Sequence, residues 1–209
     1  MSKRTHAIEE FFQRGVRLHG VGRLAEAEQV YRQVLAAAPK HADTLHMLGV
    51  LALQSGQPQA AVACIDQAIA QKPSAAMYHV NRANALLALG RLDDAMASCR
   101  QALRFKPNSA EAQQTLGHVL SDQGRPDEAV AAYAAALDTY NKALKARDAK
   151  DYDSSLDLME KAKDQFASVA QTAREKKANA EEAVADSAAA IQAAEEQATE
   201  ADKTLAGGQ

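Results

Sequence analysis

Histidine and cysteine are the residue types here best suited to metal binding or nucleophilic chemistry, but their spacing supports neither. The six histidines are His6, His19, His41, His46, His79 and His118. No His-Glu-x-x-His pattern occurs, and no Cys/His pair has the spacing of a zinc site. No segment matches a Gly-rich phosphate loop or the turn that presents a nucleophilic serine. The sequence therefore predicts a protein that is not an enzyme and that uses no metal or cofactor.

Composition favours closely packed helices. Hydrophobic residues make up 47% of the 209, but aromatic residues only 4%, and there is no Trp. Alanine supplies much of the apolar fraction, and it is both a strong helix former and small enough for close helix contact. The net charge of −3 gives no support for nucleic-acid binding.

The first ten residues, the longest uncharged run and the cysteines indicate the cellular location of the protein. The first ten residues lack the apolar core of a signal peptide. The longest uncharged run, residues 44–65, contains Gly56 and Pro58 and therefore does not predict a membrane span. Cys64 and Cys99 do not form a disulfide framework and are expected to be small apolar residues of the core. We expect a cytoplasmic protein that does not bind membranes.

One stretch of the chain returns at a fixed interval of 34 residues. The glycines that recur are Gly22, Gly56, Gly90 and Gly124; the alanines are Ala27, Ala61, Ala95 and Ala129; the prolines are Pro39, Pro73 and Pro107. A period of this length, with a helix-breaking glycine in the middle and a proline at the end, indicates two helices per unit. Units of this kind stack into a solenoid.

The frame gives four copies, residues 8–41, 42–75, 76–109 and 110–141, within a repeat domain 1–141. Position 8 of the copies is Gly15, Gly49, Ala83 and Gly117, position 20 is the recurring alanine, and position 32 is the proline. The pattern resembles the tetratricopeptide repeat, W-x2-L-G-x2-Y followed by A-x3-F and P, from residue 8 to about residue 140. We expect small residues at positions 8, 20 and 27 to allow close helix contact, and large ones at positions 4, 7, 11 and 24 to fill the core.

The resemblance also implies a binding surface. In this family the first helices line a concave groove that takes an extended peptide or a partner helix, with contacts at positions 2, 5, 9, 12 and 13. The candidate site residues are Phe12, Val16, His46, Val50, Leu53, Met77, Val80, Asn84, Leu87, Gln114 and His118. The centre of this surface is predicted to be apolar and its far end acidic and polar. Because the basic residues of the family's carboxylate clamp are missing, we predict no such clamp.

The fourth copy departs from the pattern. Position 32 is Asn141 in place of proline, and residues 127–150 contain no Gly or Pro, which predicts one continuous helix. The segment from Ala146 to Leu156 resembles the turn and second helix of another repeat, about eight residues early. One helix is therefore expected to be shared by two folds. Two origins are open: a natural protein with a lengthened capping helix, or an engineered fusion through a shared helix.

Residues 151–209 follow a seven-residue period. One line of it is Phe166, Ala173, Ala180, Ser187, Ala194 and Ala201. Asn179 and Glu182 can form a capping box, so we favour a hairpin of 152–177 and 179–205 that builds a three-helix bundle with the shared helix. The alternative is one long helix that pairs with a second chain. The expected state is a monomer, with a coiled-coil dimer as the other possibility.

The sequence thus predicts an all-α fold: a four-repeat helical-hairpin solenoid that continues through the shared helix into the C-terminal bundle. The favoured function is a non-catalytic scaffold that binds a protein or peptide in the groove. Two alternatives are kept: an engineered building block without a physiological ligand, and an adaptor dimerised through the C-terminal heptads.

Overall fold

The computed structural model of the protein describes residues 3–146 and, beyond them, only Gln171, Glu175, Ala178, Asn179 and Glu182. The described chain is all-α. Its helices are α1 (Lys3–Gly20), α2 (Leu24–Ala37), α3 (Ala42–Gln54), α4 (Pro58–Gln71), α5 (Ala76–Ala88), α6 (Leu92–Phe105), α7 (Ala110–Asp122) and α8 (Pro126–Ala146). Each helix packs against the next along the chain, which makes four helical hairpins in a stack. The predicted solenoid is confirmed.

The recurring glycines end the first helix of each hairpin. Gly22, Gly56, Gly90 and Gly124 have φ angles of 78°, 70°, 69° and 72°. The residue after each glycine donates its backbone N–H to a carbonyl five residues earlier, at 2.9 Å in all four turns. This left-handed cap satisfies carbonyls at the helix end and carries little strain only for a residue without a Cβ. The 34-residue spacing of glycine follows from this turn.

The small residues hold the two helices of each hairpin close together, as predicted. The position-20 residues Ala27, Ala61, Ala95 and Ala129 are fully buried. Their methyl groups leave room for the large side chains at position 24 of the same helices, among them Tyr31, Ile65 and Tyr133, which are 0–1% exposed. The core therefore runs along the stack, between the paired helices of each hairpin.

Position 4 is a partial exception. Leu45 is 6% exposed and lies in a cluster that includes Leu35 of the preceding repeat. Phe11, at the same position of the first repeat, is 45% exposed. It lies beside a shallow apolar depression between α1 and α2. The expectation that Phe11 fills the core is wrong, because position 4 is covered by the preceding repeat and none of the described helices precedes α1.

The last hairpin contains a longer second helix. α8 has 21 residues, whereas α2, α4 and α6 have 14 each. It passes Asn141 without a break and is continuous as far as Ala146. The remainder of the predicted shared helix, residues 147–150, lies outside the described residues.

Most of the predicted C-terminal hairpin, residues 151–209, also lies outside the described residues. The five residues described there are helical and exposed. Since Ala178 and Asn179 are both helical, Asn179 is not the N-cap of a new helix. The hairpin, the three-helix bundle and the coiled-coil dimer stay predictions. Among the helices described, none is long and apolar enough to cross a membrane.

Candidate peptide-binding groove

The first helices of the repeats form the inner face of the stack. α5 contacts both α3 and α7, so the first helices of successive repeats lie side by side. We call this inner face the groove. Its groove positions are positions 2, 5, 9, 12 and 13 of α1, α3, α5 and α7, together with position 6, which supplies Asn81 and Thr115 to the joints between the helices.

The joint between α3 and α5 contains polar side chains that bond to each other across the two helices. The Tyr78 hydroxyl donates a hydrogen bond to Asp43 Oδ1, and the amide of Asn81 lies 2.7 Å from His46 Nε2. The rings of His46 and Tyr78 stack with centroids 4.5 Å apart. Two hydrogen bonds and a ring contact therefore fix the second repeat against the third.

The ionisable groups of this joint are fixed in one protonation state near neutral pH. Burial lowers the pKa of His46 to about 4, although the charge of Asp43 acts in the opposite direction. The imidazole is therefore neutral and accepts the Asn81 N–H. Burial alone would raise the pKa of Asp43, but the Tyr78 hydrogen bond and the Lys72 ammonium outweigh it and hold that pKa below its ordinary value. Burial and the Asp43 contact raise the pKa of the Tyr78 hydroxyl, so it stays a donor.

Polar contacts also connect the other repeats. His19 Nε2 lies 2.8 Å from Gln54 Oε1, which joins α1 to α3. The Thr115 hydroxyl donates to Asn84 Oδ1 at 3.0 Å, which joins α7 to α5. Every joint between neighbouring first helices therefore carries a side-chain hydrogen bond.

Three of the predicted site residues prove to be buried. Phe12, His46 and Val80 are 9%, 8% and 2% exposed, and all three occupy position 5. The Phe12 ring packs against Tyr31 and His41, with centroids 6.2 Å and 5.2 Å apart. The prediction that these three offer contact area to a ligand is not supported, because the next repeat covers position 5. They support the groove from beneath.

The remaining predicted residues stay accessible. Met77 is 42% exposed. Those that are half-buried are Val16, Val50, Leu53, Asn84, Leu87, Gln114 and His118. Leu53 and Leu87 rest on the core cluster of repeats 2–4. Four of the accessible residues form what we call the apolar strip: Val50, Leu53, Met77 and Leu87.

His118 belongs to the polar end of the groove on α7. Its Nδ1 lies 3.1 Å from the Tyr133 hydroxyl of α8. Burial lowers the pKa of His118, with Asp122 acting in the opposite direction. The ring is therefore neutral near pH 7, and it adds a hydrogen-bonding group without charge to this end.

Sequence reasoning does not predict which side chains join the repeats. The pairs Asp43–Tyr78, His46–Asn81 and His19–Gln54 are each separated by 35 residues, one more than the period. In these three pairs a position in one first helix meets the next position in the following one, whereas Asn84 and Thr115 are separated by 31 residues. No pattern in the sequence alone marks these joints.

The thiols do not form a reactive centre. Burial raises the pKa of Cys99 to about 12 and also raises that of half-buried Cys64. Both are protonated near neutral pH, which makes them poor nucleophiles and metal ligands. No group of three or more His, Cys, Asp or Glu side chains within the described residues could hold a metal ion.

Two family models, both described as tetratricopeptide repeat, match residues 46–110 and 86–147. No curated protein matches the chain. Among solved structures, an O-GlcNAc transferase of Thermobaculum terrenum is 24% identical with a TM-score of 0.62, over 68% of this chain and 27% of that one. Pseudomonas aeruginosa PilF is 21% identical with a TM-score of 0.62, over 66% and 63%. MamA of Desulfovibrio magneticus is 19% identical with a TM-score of 0.59, over 65% and 76%.

At these identities the likeness to solved structures concerns the fold alone. The chain spans about a quarter of the transferase and less than two thirds of PilF. The family matches begin at His46, and the first repeat shares the hairpin geometry of the matched ones. Its Gly22 turn has the same φ and the same capping hydrogen bond as the turns of the other repeats. Residues 46–147 of the chain belong to the tetratricopeptide repeat family.

Proposed function

We propose that this protein is a non-catalytic scaffold whose groove binds an extended peptide or a helix of a partner protein. The observation that carries the proposal is the apolar strip. Met77 is 42% exposed at the start of α5, and the three half-buried members are Leu87 near the end of α5 and Val50 and Leu53 on the adjacent α3. Apolar side chains grouped on an accessible surface mark sites of protein interaction.

The hydrogen bonds between the repeats support the same function. The side chains beside the strip are held by hydrogen bonds between repeats, such as His46–Asn81 and Asn84–Thr115. A surface already ordered before binding loses little conformational entropy when a ligand arrives. The groove therefore suits a flexible partner segment that itself becomes ordered.

Selection from a random 12-residue peptide library, followed by amide shift mapping, tests the proposal. The expected result is a selected peptide that shifts amide resonances of α3, α5 and α7. Shifts confined to the outer helices α2, α4 and α6 would overturn the groove as the site, and so would a selection that yields no peptide.

A second reading is favoured by the length of α8, which runs seven residues beyond the helices it corresponds to. In this reading α8 continues into a C-terminal helical unit, in a natural or an engineered chain, and the protein serves as a rigid building block. Light scattering across a concentration series separates the forms. We propose a cytoplasmic monomer, whereas a dimer lost on truncation after residue 150 would favour the coiled-coil adaptor.

A further inference from the structure

The charged residues of the groove are all acidic. None of its positions in the four repeats is Lys or Arg, whereas four of them are carboxylates: Glu9, Asp43, Glu111 and Asp122. The chain as a whole contains 24 Lys and Arg residues, so their absence from this one face is a local feature. A ligand in the groove meets negative charge, amides, hydroxyls and the neutral imidazole of His118.

Asp43 is the one of these carboxylates whose charge is already compensated. Lys72 Nζ lies 3.5 Å from its Oδ1, and the Tyr78 hydroxyl also donates to it. The charge of Asp43 is therefore largely compensated by neighbouring groups, and Asp43 adds little to the attraction of a cationic ligand.

The other three carboxylates form no ion pair with a Lys or Arg among the described residues. Glu9 accepts from the Gln13 amide at 2.8 Å and lies 3.9 Å from His41. Glu111 accepts from the Ser109 hydroxyl at 2.9 Å, and Asp122 is exposed. Hydrogen bonds from a neutral amide or hydroxyl do not cancel a carboxylate charge.

Two of these charges lie on α7. Glu111 and Asp122 stand at its two ends, and Gln114 and His118 lie between them. Next to α7 come Asn84 on α5 and then the apolar strip, so the groove changes from apolar to acidic between α5 and α7.

We infer that the groove selects a cationic segment: an extended peptide with apolar side chains for the strip and Lys or Arg side chains for α7. This inference rests on the proposed function and names the class of its ligand. An arginine could bond to Glu111 and to the amide oxygen of Gln114 one turn later, since guanidinium groups offer several donors, and a second cationic side chain could bond to Asp122. An acidic peptide would place its carboxylates against these carboxylates with no cation to receive them, which costs affinity.

Three fluorescent peptides test this inference on the full chain by anisotropy. They share one Leu/Ala framework and differ only at four positions, which are Arg, Gln or Glu. We expect the Arg peptide to bind at least about tenfold more tightly than the Glu peptide, with the Gln peptide between them. The affinity of the Arg peptide should fall several-fold between about 50 and 500 mM salt, because added salt screens the attraction between its guanidinium groups and the carboxylates of the groove.

Paired charge-neutralising variants identify the residues. Glu111→Gln with Asp122→Asn should lower the affinity for the Arg peptide to about that for the Gln peptide and leave the Gln peptide unchanged. The control, Glu26→Gln with Asp138→Asn, removes the same charge from exposed positions of the outer helices α2 and α8, and it should change neither affinity. Thermal melts of both double variants establish that the fold is kept.

The outcomes separate the inference from the proposed function. Suppose that Val50→Arg abolishes binding but the Gln or Glu peptide binds as tightly as the Arg peptide. The groove function then stands, and the cationic ligand is wrong. If no peptide binds, or if Val50→Arg changes nothing, the proposed function itself fails. Equal weakening by both double variants would show a general effect of net charge and would overturn the assignment to α7.

Discussion

Gly117 and Tyr133 are matched in size across the fourth hairpin. A Cβ on Gly117 would lie 2.5 Å from Cε1 of the Tyr133 ring. Gly15 stands in the same relation to Tyr31, and Gly49 stands in it to Ile65. In the third repeat these two positions are Ala83 and Cys99, both fully buried, so a larger residue at one position accompanies a smaller one at the other.

We expect Gly117→Ala to destabilise the protein. The new methyl group must displace the Tyr133 ring, and overpacking of this kind costs about 1–3 kcal/mol, more than the helix propensity of alanine returns. A matched control is Gly20→Ala on α1, where a Cβ meets no atom within 4 Å. Chemical denaturation should show a lower unfolding free energy for the first variant and an unchanged or higher one for the second. Equal effects would contradict the size matching.

We expect stability to fall with pH in part through His46. Its pKa is about 4 in the folded protein, below the ordinary value of 6.5, so the unfolded chain binds the proton more readily. The contribution to stability is complete above pH 6.5 and is lost as the pH falls towards 4. The loss is about 2 kcal/mol by pH 5. Asp43, Tyr78 and Asn81 face the ring, and Asp43 limits the shift.

His46→Gln separates this contribution from the other groups that titrate in the same range, among them His118. The difference in unfolding free energy between the variant and the parent protein should shrink as the pH falls from 7 to 5. A difference that is independent of pH would show that His46 is not the titrating group.

We expect the side chain at position 4 to contribute more to stability in the second repeat than in the first. Leu45→Ala removes a side chain that is 6% exposed and leaves a cavity, which costs about 3 kcal/mol. Phe11→Ala removes a larger ring that is 45% exposed, and it should cost less than about 1 kcal/mol. Thermal melts of the two variants give the comparison. A larger loss for Phe11→Ala would mean that other parts of the chain cover this ring.

Local features of the fold could be read from the sequence because each depends on a few neighbouring residues. Gly56 ends a helix at positive φ in any repeat, and Ala61 is buried wherever two helices approach closely. The repeat frame also places the first helices side by side, and α5 does contact both α3 and α7. These properties recur every 34 residues, so the prediction made for one repeat is supported by the same residue in the other three.

Burial at the groove could not be read in the same way. Val80 and Met77 are both groove positions of α5, but the first is 2% exposed and the second 42%. The difference depends on how closely the following repeat approaches, which is set by side chains in another hairpin. The offset of 35 residues in Asp43–Tyr78 and His46–Asn81 records that approach, but it becomes visible only once the contacts are known.

The central claim is that the inner face, at the apolar strip, binds a partner segment. The most direct measurement is the dissociation constant of a library-selected peptide for the parent protein and two single variants. Val50→Arg places a large charged side chain in the strip, and Ala63→Arg introduces the same side chain and charge at an exposed position of α4. The account predicts at least about tenfold weaker binding for Val50→Arg and unchanged binding for Ala63→Arg. Equal affinities for both variants, with both folded, would contradict it.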